Sequence, residues 1–284
     1  MTGRGPGPLE RRIVGVIVRR LFWGHRRGGP WAVPQGLAHE SLTLEGNSGA
    51  LLSARFFPRP APRGVVVLAH PDRRYGQHWF VREGWIPWLL DAGFACLTFD
   101  FAPFGQSKGG STYLLEDVAA ACREARRRAP GAPLHIVGLS VGAFAACNAQ
   151  RLVDDAESLV LESPYPSFNT WYKRGPGAWG MALFDRVFPR TKPLIRADAN
   201  IALTRARRIL VAATRDDEVT RVALSRAVAD AAPRERTRYL EVAKLRHLEL
   251  FQGSREYRQA ILETLGLAPP EADRRAAEPP PRTS

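Results

Sequence analysis

The stretch PLHIVGLSVGAF, residues 133–144, places Ser140 between two glycines, Gly138 and Gly142. The apolar run before Ser140 predicts a buried strand, and the small residues after it predict a helix that begins at once. Such a turn strains the backbone at the serine and brings chain segments close on both sides, which small residues two positions away permit. A shuffled chain would contain about 0.1 copies of Gly-x-Ser-x-Gly by chance. The motif alone is therefore weak evidence, and the surrounding sequence must support it.

Strand-like and helix-like segments alternate through most of the chain. Stretches 39–46 and 51–58 alternate apolar and polar residues and predict an exposed hairpin. Apolar β-branched runs then alternate with helical segments, which is typical of an α/β domain with a mostly parallel sheet and helices on both faces. The further predicted strands lie at 64–71, 93–101, 133–140, 156–164, 207–214 and 236–242, and the predicted helices at 76–92, 112–130, 141–153, 219–231 and 255–266.

Composition indicates a globular chain without a disulfide framework. Hydrophobic residues make up 45% and charged residues 24% of the 284 residues, which is ordinary for a domain with one large core. The three cysteines, Cys96, Cys122 and Cys147, lie far apart in apolar contexts, so we expect buried free thiols in a reducing, cytoplasmic compartment. No Cys/His cluster has metal-ligand spacing, and we expect neither a metal nor a cofactor.

The net charge of +13 does not by itself point to nucleic acid. No nucleic-acid recognition motif accompanies the arginines, which are spread through predicted helices as well as the chain ends. We therefore expect a solvated basic surface and no nucleic-acid partner. The Pro- and charge-rich segment 268–284 is predicted to be a disordered tail.

The basic N-terminal arm, residues 1–37, contains an amphipathic segment at 9–23, LERRIVGVIVRRLFW. Its central apolar run is too short to span a bilayer. As a helix, it would align Leu9, Ile13, Ile17 and Leu21 on one side, a pattern that can lie on an anionic membrane surface. The alternatives are a helix packed on the domain and a disordered arm. Peripheral contact with the inner membrane face is the localisation that this first interpretation predicts.

Histidine and carboxylate candidates follow other predicted strands. A serine hydroxyl becomes a nucleophile when a histidine takes its proton and an acid orients that histidine. His247 follows the last predicted strand after a short loop, and loops after parallel strands converge at one edge of the sheet. Asp216 and Asp217 follow the strand at 207–214 in the same way, and Glu162 is the alternative acid. The residues thus predict a Ser–His–acid site.

Five segments in order resemble the α/β-hydrolase superfamily over roughly residues 38–266. They are LAHP (68–71), FDFAPFGQSKG (99–109), GLSVG (138–142), TRDDEV (214–219) and LRHLEL (245–250). The stretch LESPYPS, residues 161–167, and the lack of a long insertion look most like the serine aminopeptidase and monoacylglycerol-lipase-like or Bem46-like hydrolases. The resemblance implies an α/β-hydrolase fold for residues 38–267, Asp217 as the acid, and an oxyanion hole from the backbone N–H groups of Val141 and Asp72. Pro71 stands where the family usually has glycine and has no N–H to donate.

The segment at about 164–200 is the predicted lid. It combines apolar and aromatic side chains with Lys173 and Arg174, and aromatic side chains above a nucleophile suit an acyl or aromatic substrate. The candidate substrate-binding residues are Trp171, Tyr172, Trp179 and Phe184, together with Tyr75 in the loop after Asp72.

The expected activity is cofactor-free hydrolysis of a carboxylic ester of a small molecule, with thioesters and amides as related substrates. Ser140 would be the nucleophile, His247 the base and Asp217 the residue that orients it. Two alternatives remain open at this point. One is acyl transfer by the same residues, and the other is a non-catalytic protein that binds a membrane surface through residues 9–23.

Overall fold

The computed structural model describes residues 6–7, 9–11, 13–14, 31–46, 49–72, 76–102, 104–109, 113–168, 183 and 185–267. Eight strands form one sheet in the order β1-β2-β4-β3-β5-β6-β7-β8. The strands are β1 Glu40–Glu45, β2 Leu51–Phe57, β3 Val65–Ala69, β4 Ala95–Phe99, β5 Leu134–Leu139, β6 Ala156–Glu162, β7 Arg208–Thr214 and β8 Thr237–Val242. The pairs β1–β2 and β2–β4 are antiparallel, and every other neighbouring pair is parallel. The predicted α/β class is confirmed.

Helices cover both faces of this sheet. They are α1 His78–Arg82, α2 Trp85–Asp91, α3 Leu114–Arg128, α4 Val141–Ala149, α5 Ala197–Ile201, α6 Val222–Ala231, α7 Leu250–Gly253 and α8 Arg255–Thr264, with 3₁₀ turns at Lys192–Ile195 and Arg234–Arg236. Successive side chains of β3 enter opposite cores because side chains alternate along a strand. Val65 and Val67 pack with α3 and α4, whereas Val66 and Leu68 pack with α1, α2 and α8. The sheet therefore sits between two apolar layers.

The helix predicted at 76–92 is two helices in the structure. Gly84 adopts φ +79° between α1 and α2, a left-handed conformation that glycine reaches without a Cβ penalty. Pro87 then falls in the first turn of α2, where its missing N–H has no helical acceptor to lose. The pattern of apolar residues runs through this break, which is why periodicity alone predicted one helix.

Part of the N-terminal segment packs against the domain. Residues 9–11 and 13–14 are helical, Val14 is fully buried, and Arg11 Nη1 lies 2.5 Å from Glu116 Oε1. Leu9 and Ile13 are exposed by 72% and 42%. Residues 15–23 lie outside the described residues, so contact with an anionic membrane remains a prediction. None of the helices in the described part of the chain combines the length and apolar character that crossing a bilayer requires.

Described residues near the two ends of the segment predicted as a lid contact each other and the domain. Ser167 and Arg196 form an isolated antiparallel bridge, and the Tyr113 hydroxyl lies 2.8 Å from Thr191 Oγ1. Residues 169–182 and 184 lie outside the described residues. The role of this segment as a lid thus stays a prediction.

Candidate active site

Ser140 occupies a sharp turn between β5 and α4 at the carboxyl edge of the sheet. Its φ of 53° and ψ of −113° are strained for a residue with a side chain. The Ser140 N–H donates to the Glu162 carbonyl at 2.8 Å, and the Phe144 N–H donates to the Ser140 carbonyl at 3.0 Å. The turn is therefore anchored on one side to β6 and on the other to the first turn of α4. Ser140 itself is only 7% exposed.

The two flanking glycines allow backbone segments to approach this turn closely. A Cβ on Gly138 would lie 2.6 Å from the Gly142 carbonyl oxygen, and one on Gly142 would lie 2.7 Å from the His70 carbonyl oxygen. These distances are shorter than real Cβ contacts, so a side chain at either position would push α4 away. The glycines thus bring the start of α4 against the loop after β3, which carries Asp72.

The structure brings Ser140, His247 and Asp217 into one hydrogen-bonded row. Ser140 Oγ and His247 Nε2 are 3.1 Å apart, and His247 Nδ1 lies 2.7 Å from Asp217 Oδ2. With Nδ1 donating to the carboxylate, Nε2 is free to accept the serine proton. Each residue follows the end of a different parallel strand, β5, β7 or β8. The row has the geometry in which a histidine can act as a base toward a serine hydroxyl.

The Asp217 carboxylate receives several hydrogen bonds besides that of His247. Oδ1 accepts the N–H groups of Val219 (2.8 Å) and Thr220 (2.7 Å), and Oδ2 also accepts the Ser163 hydroxyl (2.9 Å). Burial acts to raise the pKa of Asp217, but the hydrogen bonds and the interaction with His247 outweigh it and hold the pKa below its usual range. The carboxylate is therefore ionised and fixed in orientation.

The two loops that carry Asp217 and His247 are joined by further hydrogen bonds. Thr214 Oγ1 donates to the Leu245 carbonyl at 2.5 Å, and the Lys244 N–H donates to Asp216 Oδ2 at 2.6 Å. Asp216 thus binds the backbone of the histidine loop, whereas Asp217 binds the imidazole. Glu162, the alternative acid, has no hydrogen bond to His247 among the described residues. Its side chain is buried behind the row.

His70 braces the loop that the resemblance assigned to an oxyanion hole. Its Nδ1 donates to the Pro71 carbonyl at 2.7 Å, and its Nε2 accepts the Phe101 N–H at 3.0 Å. Burial lowers the pKa of His70 to about 4, so the ring is neutral and this donor–acceptor pattern is stable. The Val141 N–H, at the start of α4, has no acceptor among the described residues. Asp72 lies half-buried in the braced loop, on the same edge of the sheet.

The predicted substrate-binding residues Tyr75, Trp171, Tyr172, Trp179 and Phe184 lie outside the described residues. An aromatic cluster that the sequence pattern does not indicate follows the turn at Ser140. Phe144, one helical turn after Ser140, stacks on Tyr165 with ring centroids 4.7 Å apart, and Phe168 lies 4.8 Å from Phe144. Phe144 and Tyr165 are each 3% exposed, so this cluster is part of the core next to the turn at Ser140.

Ser163 is a further site residue that sequence reasoning missed. It directly follows β6, as Ser140 follows β5, so a small polar residue after a buried strand was the available signal. Among the described residues, no group of three His, Cys, Asp or Glu side chains could hold a metal ion.

Comparisons with known proteins identify the family of the chain. Residues 60–228, about three fifths of the chain, match the family model Hydrolase_4, described as serine aminopeptidase, S33. The matched range includes Ser140 and Asp217 and ends before His247. A search of curated protein sequences finds no significant match.

Solved structures resemble the chain over most of its length. The esterase Pf2001 of Pyrococcus furiosus has 20% identity and a TM-score of 0.64, covering 84% of this chain and 96% of its own. The lidless α/β serine hydrolase XC6422 of Xanthomonas campestris has 16% identity and a TM-score of 0.58, covering 85% and 100%. At such identities the likeness establishes the fold, and the predicted α/β-hydrolase fold is confirmed. By the extent of its family match, the chain belongs to the S33 serine aminopeptidase family of α/β hydrolases.

Proposed function

We propose that this hydrolase is a serine esterase with Ser140, His247 and Asp217 as its catalytic triad. The observation that carries the proposal is the continuous row from Ser140 Oγ through His247 to Asp217, with distances of 3.1 and 2.7 Å. Ser140 Oγ attacks the ester carbonyl carbon while His247 Nε2 takes its proton. Asp217 holds the imidazole in the required tautomer and stabilises the charge that it gains.

The negative charge of the tetrahedral intermediate would be bound by the N–H groups of Val141 and Asp72. Such backbone donors are commonly worth about 3 kcal/mol each in the transition state. The intermediate collapses when His247 donates this proton to the leaving alkoxide, which departs as an alcohol. The acyl group stays bound to Ser140. Water, deprotonated by His247, then attacks the acyl-enzyme and releases a carboxylic acid.

An ester is the favoured substrate class because an alcohol leaves more readily than an amine. The first turn of the helix after the nucleophile packs its Phe144 on Tyr165 in the apolar core, which favours an uncharged acyl group over a charged one. The aromatic residues Tyr75, Trp171, Tyr172, Trp179 and Phe184 remain the proposed contacts for the rest of the substrate. Because the family is described as aminopeptidase, amides are the substrate class to be compared directly with esters.

The test combines active-site labelling with a substrate panel. The wild-type protein should be labelled by a fluorophosphonate probe and should hydrolyse p-nitrophenyl esters, with acyl chains from acetyl to decanoyl defining its preference. Ser140→Ala should lose both properties, whereas Ser41→Ala on the exposed β1 should keep them. Amino-acid p-nitroanilides and acyl-CoA thioesters form the other arms. Failure of the wild type to be labelled or to turn over any substrate would overturn the proposal.

A further inference from the structure

Four neighbouring strands are each followed by a polar residue at this edge of the sheet, two of them directly and two after short loops, and the proposed triad uses three of these residues. In the sheet order β5-β6-β7-β8, these strands precede Ser140, Ser163, Asp217 and His247. Register keeps the ends level, because Leu139 pairs with Glu162 and Glu162 pairs with Ala212. Ser163 therefore lies between the nucleophile and the acid, at the end of the strand that separates them.

The backbone of β6 is tied to both neighbours at this point. The Glu162 carbonyl accepts the Ser140 N–H at 2.8 Å, and the Ser163 N–H donates to the Ala212 carbonyl at 2.8 Å. These bonds fix the backbone of Ser163 relative to both Ser140 and β7, so its side chain starts from a defined place between the nucleophile and the acid.

The Ser163 hydroxyl binds the reactive end of the acid. It donates to Asp217 Oδ2 at 2.9 Å, the same oxygen that lies 2.7 Å from His247 Nδ1. The other oxygen, Oδ1, is occupied by two backbone N–H groups of its own loop. Among the described residues, the side chains of His247 and Ser163 bond to Oδ2. Ser163 follows β6, whereas Asp217 and His247 lie in the loops after β7 and β8.

The backbone conformation at position 163 would favour glycine, which indicates that the serine is present for its hydroxyl. Ser163 adopts φ +51°, a left-handed conformation that is unfavourable for residues with a Cβ and free of this penalty for glycine. The side chain is fully buried, so the hydroxyl is not stabilised by hydrogen bonds to solvent. What compensates the strain is the hydrogen bond to an ionised carboxylate, a stronger bond than one between neutral groups.

We propose that Ser163 is a positioning residue that holds Asp217 Oδ2 toward His247 and stabilises the ionised carboxylate. This inference rests on the proposed esterase function for its kinetic consequences. Without the hydroxyl, Oδ2 keeps one donor, its orientation loosens, and the carboxylate attracts the imidazole proton more strongly. The acidic limb of the pH–rate profile should then move to higher pH, because the base is occupied by a proton over a wider range.

The variants Ser163→Ala, Ser163→Gly and Ser163→Cys separate hydroxyl loss from backbone effects. Each should lower kcat by about tenfold with little change of KM, since a hydrogen bond to a charged group is lost. Ser163→Gly removes the strain and should do so without loss of thermal stability. The matched control is Ser158→Ala, which removes another buried serine of β6, bonded to His135 Nδ1 at 2.8 Å, and should leave the pH profile in place.

A second measurement does not need turnover. The downfield proton resonance of His247 Nδ1–H should be observed in Ser140→Ala and should shift when Ser163→Ala is added, but not when Ser158→Ala is added. If the wild type shows no esterase activity, the proposed function fails while this resonance still tests Ser163. A pH profile and a resonance both unmoved by Ser163→Ala would overturn the positioning role.

Discussion

Asp216 and Asp217 are neighbours in the chain, yet their carboxylates bind different parts of the histidine loop. Asp217 Oδ2 lies 2.7 Å from His247 Nδ1, whereas Asp216 Oδ2 accepts the Lys244 N–H at 2.6 Å. Asp216 thereby holds the loop, and Asp217 orients the imidazole of His247. The structure thus distinguishes two aspartates that the spacing in TRDDEV leaves equivalent.

Asparagine at the two positions should have very different effects. Asp217→Asn keeps the shape of the side chain but favours the wrong imidazole tautomer, and the expected loss of kcat is about 10³- to 10⁴-fold. Asp216→Asn retains an oxygen that can accept the Lys244 N–H, and its kcat should stay near that of the wild type. Steady-state hydrolysis of a p-nitrophenyl ester measures both. Similar losses in the two variants would contradict the assigned roles.

Gly142→Ala should damage both folding and activity. Its Cβ would be forced against the backbone of Ala69 and His70, and backbone cannot yield as a flexible side chain can. Overpacking of this kind typically costs about 1–3 kcal/mol of unfolding free energy, and the shift of α4 would displace the Val141 N–H. Urea unfolding and ester hydrolysis measure the two effects.

Gly131→Ala is the control for a glycine substitution without a clash. Gly131 has φ +79° but no atom within 4 Å of an added Cβ. Only the conformational penalty of about 1 kcal/mol should appear, with kcat unchanged. An active Gly142→Ala with wild-type stability would show that the close approach at the nucleophile turn is dispensable.

Glu162 should make folding stability depend on pH. Burial, together with the negative charge of Asp217, raises the pKa of Glu162 to about 8, while the Leu250 N–H opposes the rise. Tyr257 lies beside the carboxyl, although its hydroxyl and Glu162 Oε1 form no hydrogen bond. The folded chain therefore keeps a proton that the unfolded chain releases at lower pH. Unfolding free energy should fall as pH rises from the ordinary glutamate pKa to about 8 and then level off.

Glu162→Gln removes this linkage. As the pH rises across this range, the unfolding free energy of Glu162→Gln should increase relative to that of the wild type by at most about 1.4 kcal/mol per pH unit. Urea titrations between pH 5 and pH 9 measure the difference, with Glu45→Gln on the exposed edge of β1 as the control. A difference that does not change with pH would show that Glu162 is ionised in the folded protein.

The exposed apolar residues of the N-terminal segment provide the test of membrane contact. Full-length protein should co-sediment with vesicles that contain phosphatidylglycerol, and the double variant Leu9→Gln/Ile13→Gln should do so less, because it removes exposed apolar side chains of the segment. Leu152→Gln, at a leucine that is 54% exposed elsewhere, is the matched control. Equal sedimentation of all three proteins, or none at all, would remove the membrane interpretation.

Much of the site was accessible from local pattern. The glycines two positions before and after Ser140 predict the sharp turn that places it. His247 and the aspartate pair each follow an apolar run that predicts a buried strand. Ser163 follows such a run too, but nothing near it in the chain indicates its partner. Its bond to Asp217 joins residues 54 apart and depends on the relative register of β6 and β7.

Local sequence pattern predicted the succession of the eight strands and the turn at Ser140, but it predicted one helix at 76–92 where the chain forms two. The strands and the turn follow from periodicity and from the small size of glycine, which are local properties. The tertiary structure decided which aspartate orients His247, that Ser163 bonds to the same carboxylate oxygen, and that Val14 and Arg11 pack on the domain. Such choices depend on distances between segments that are remote in the chain, and those distances exist only once the sheet has formed.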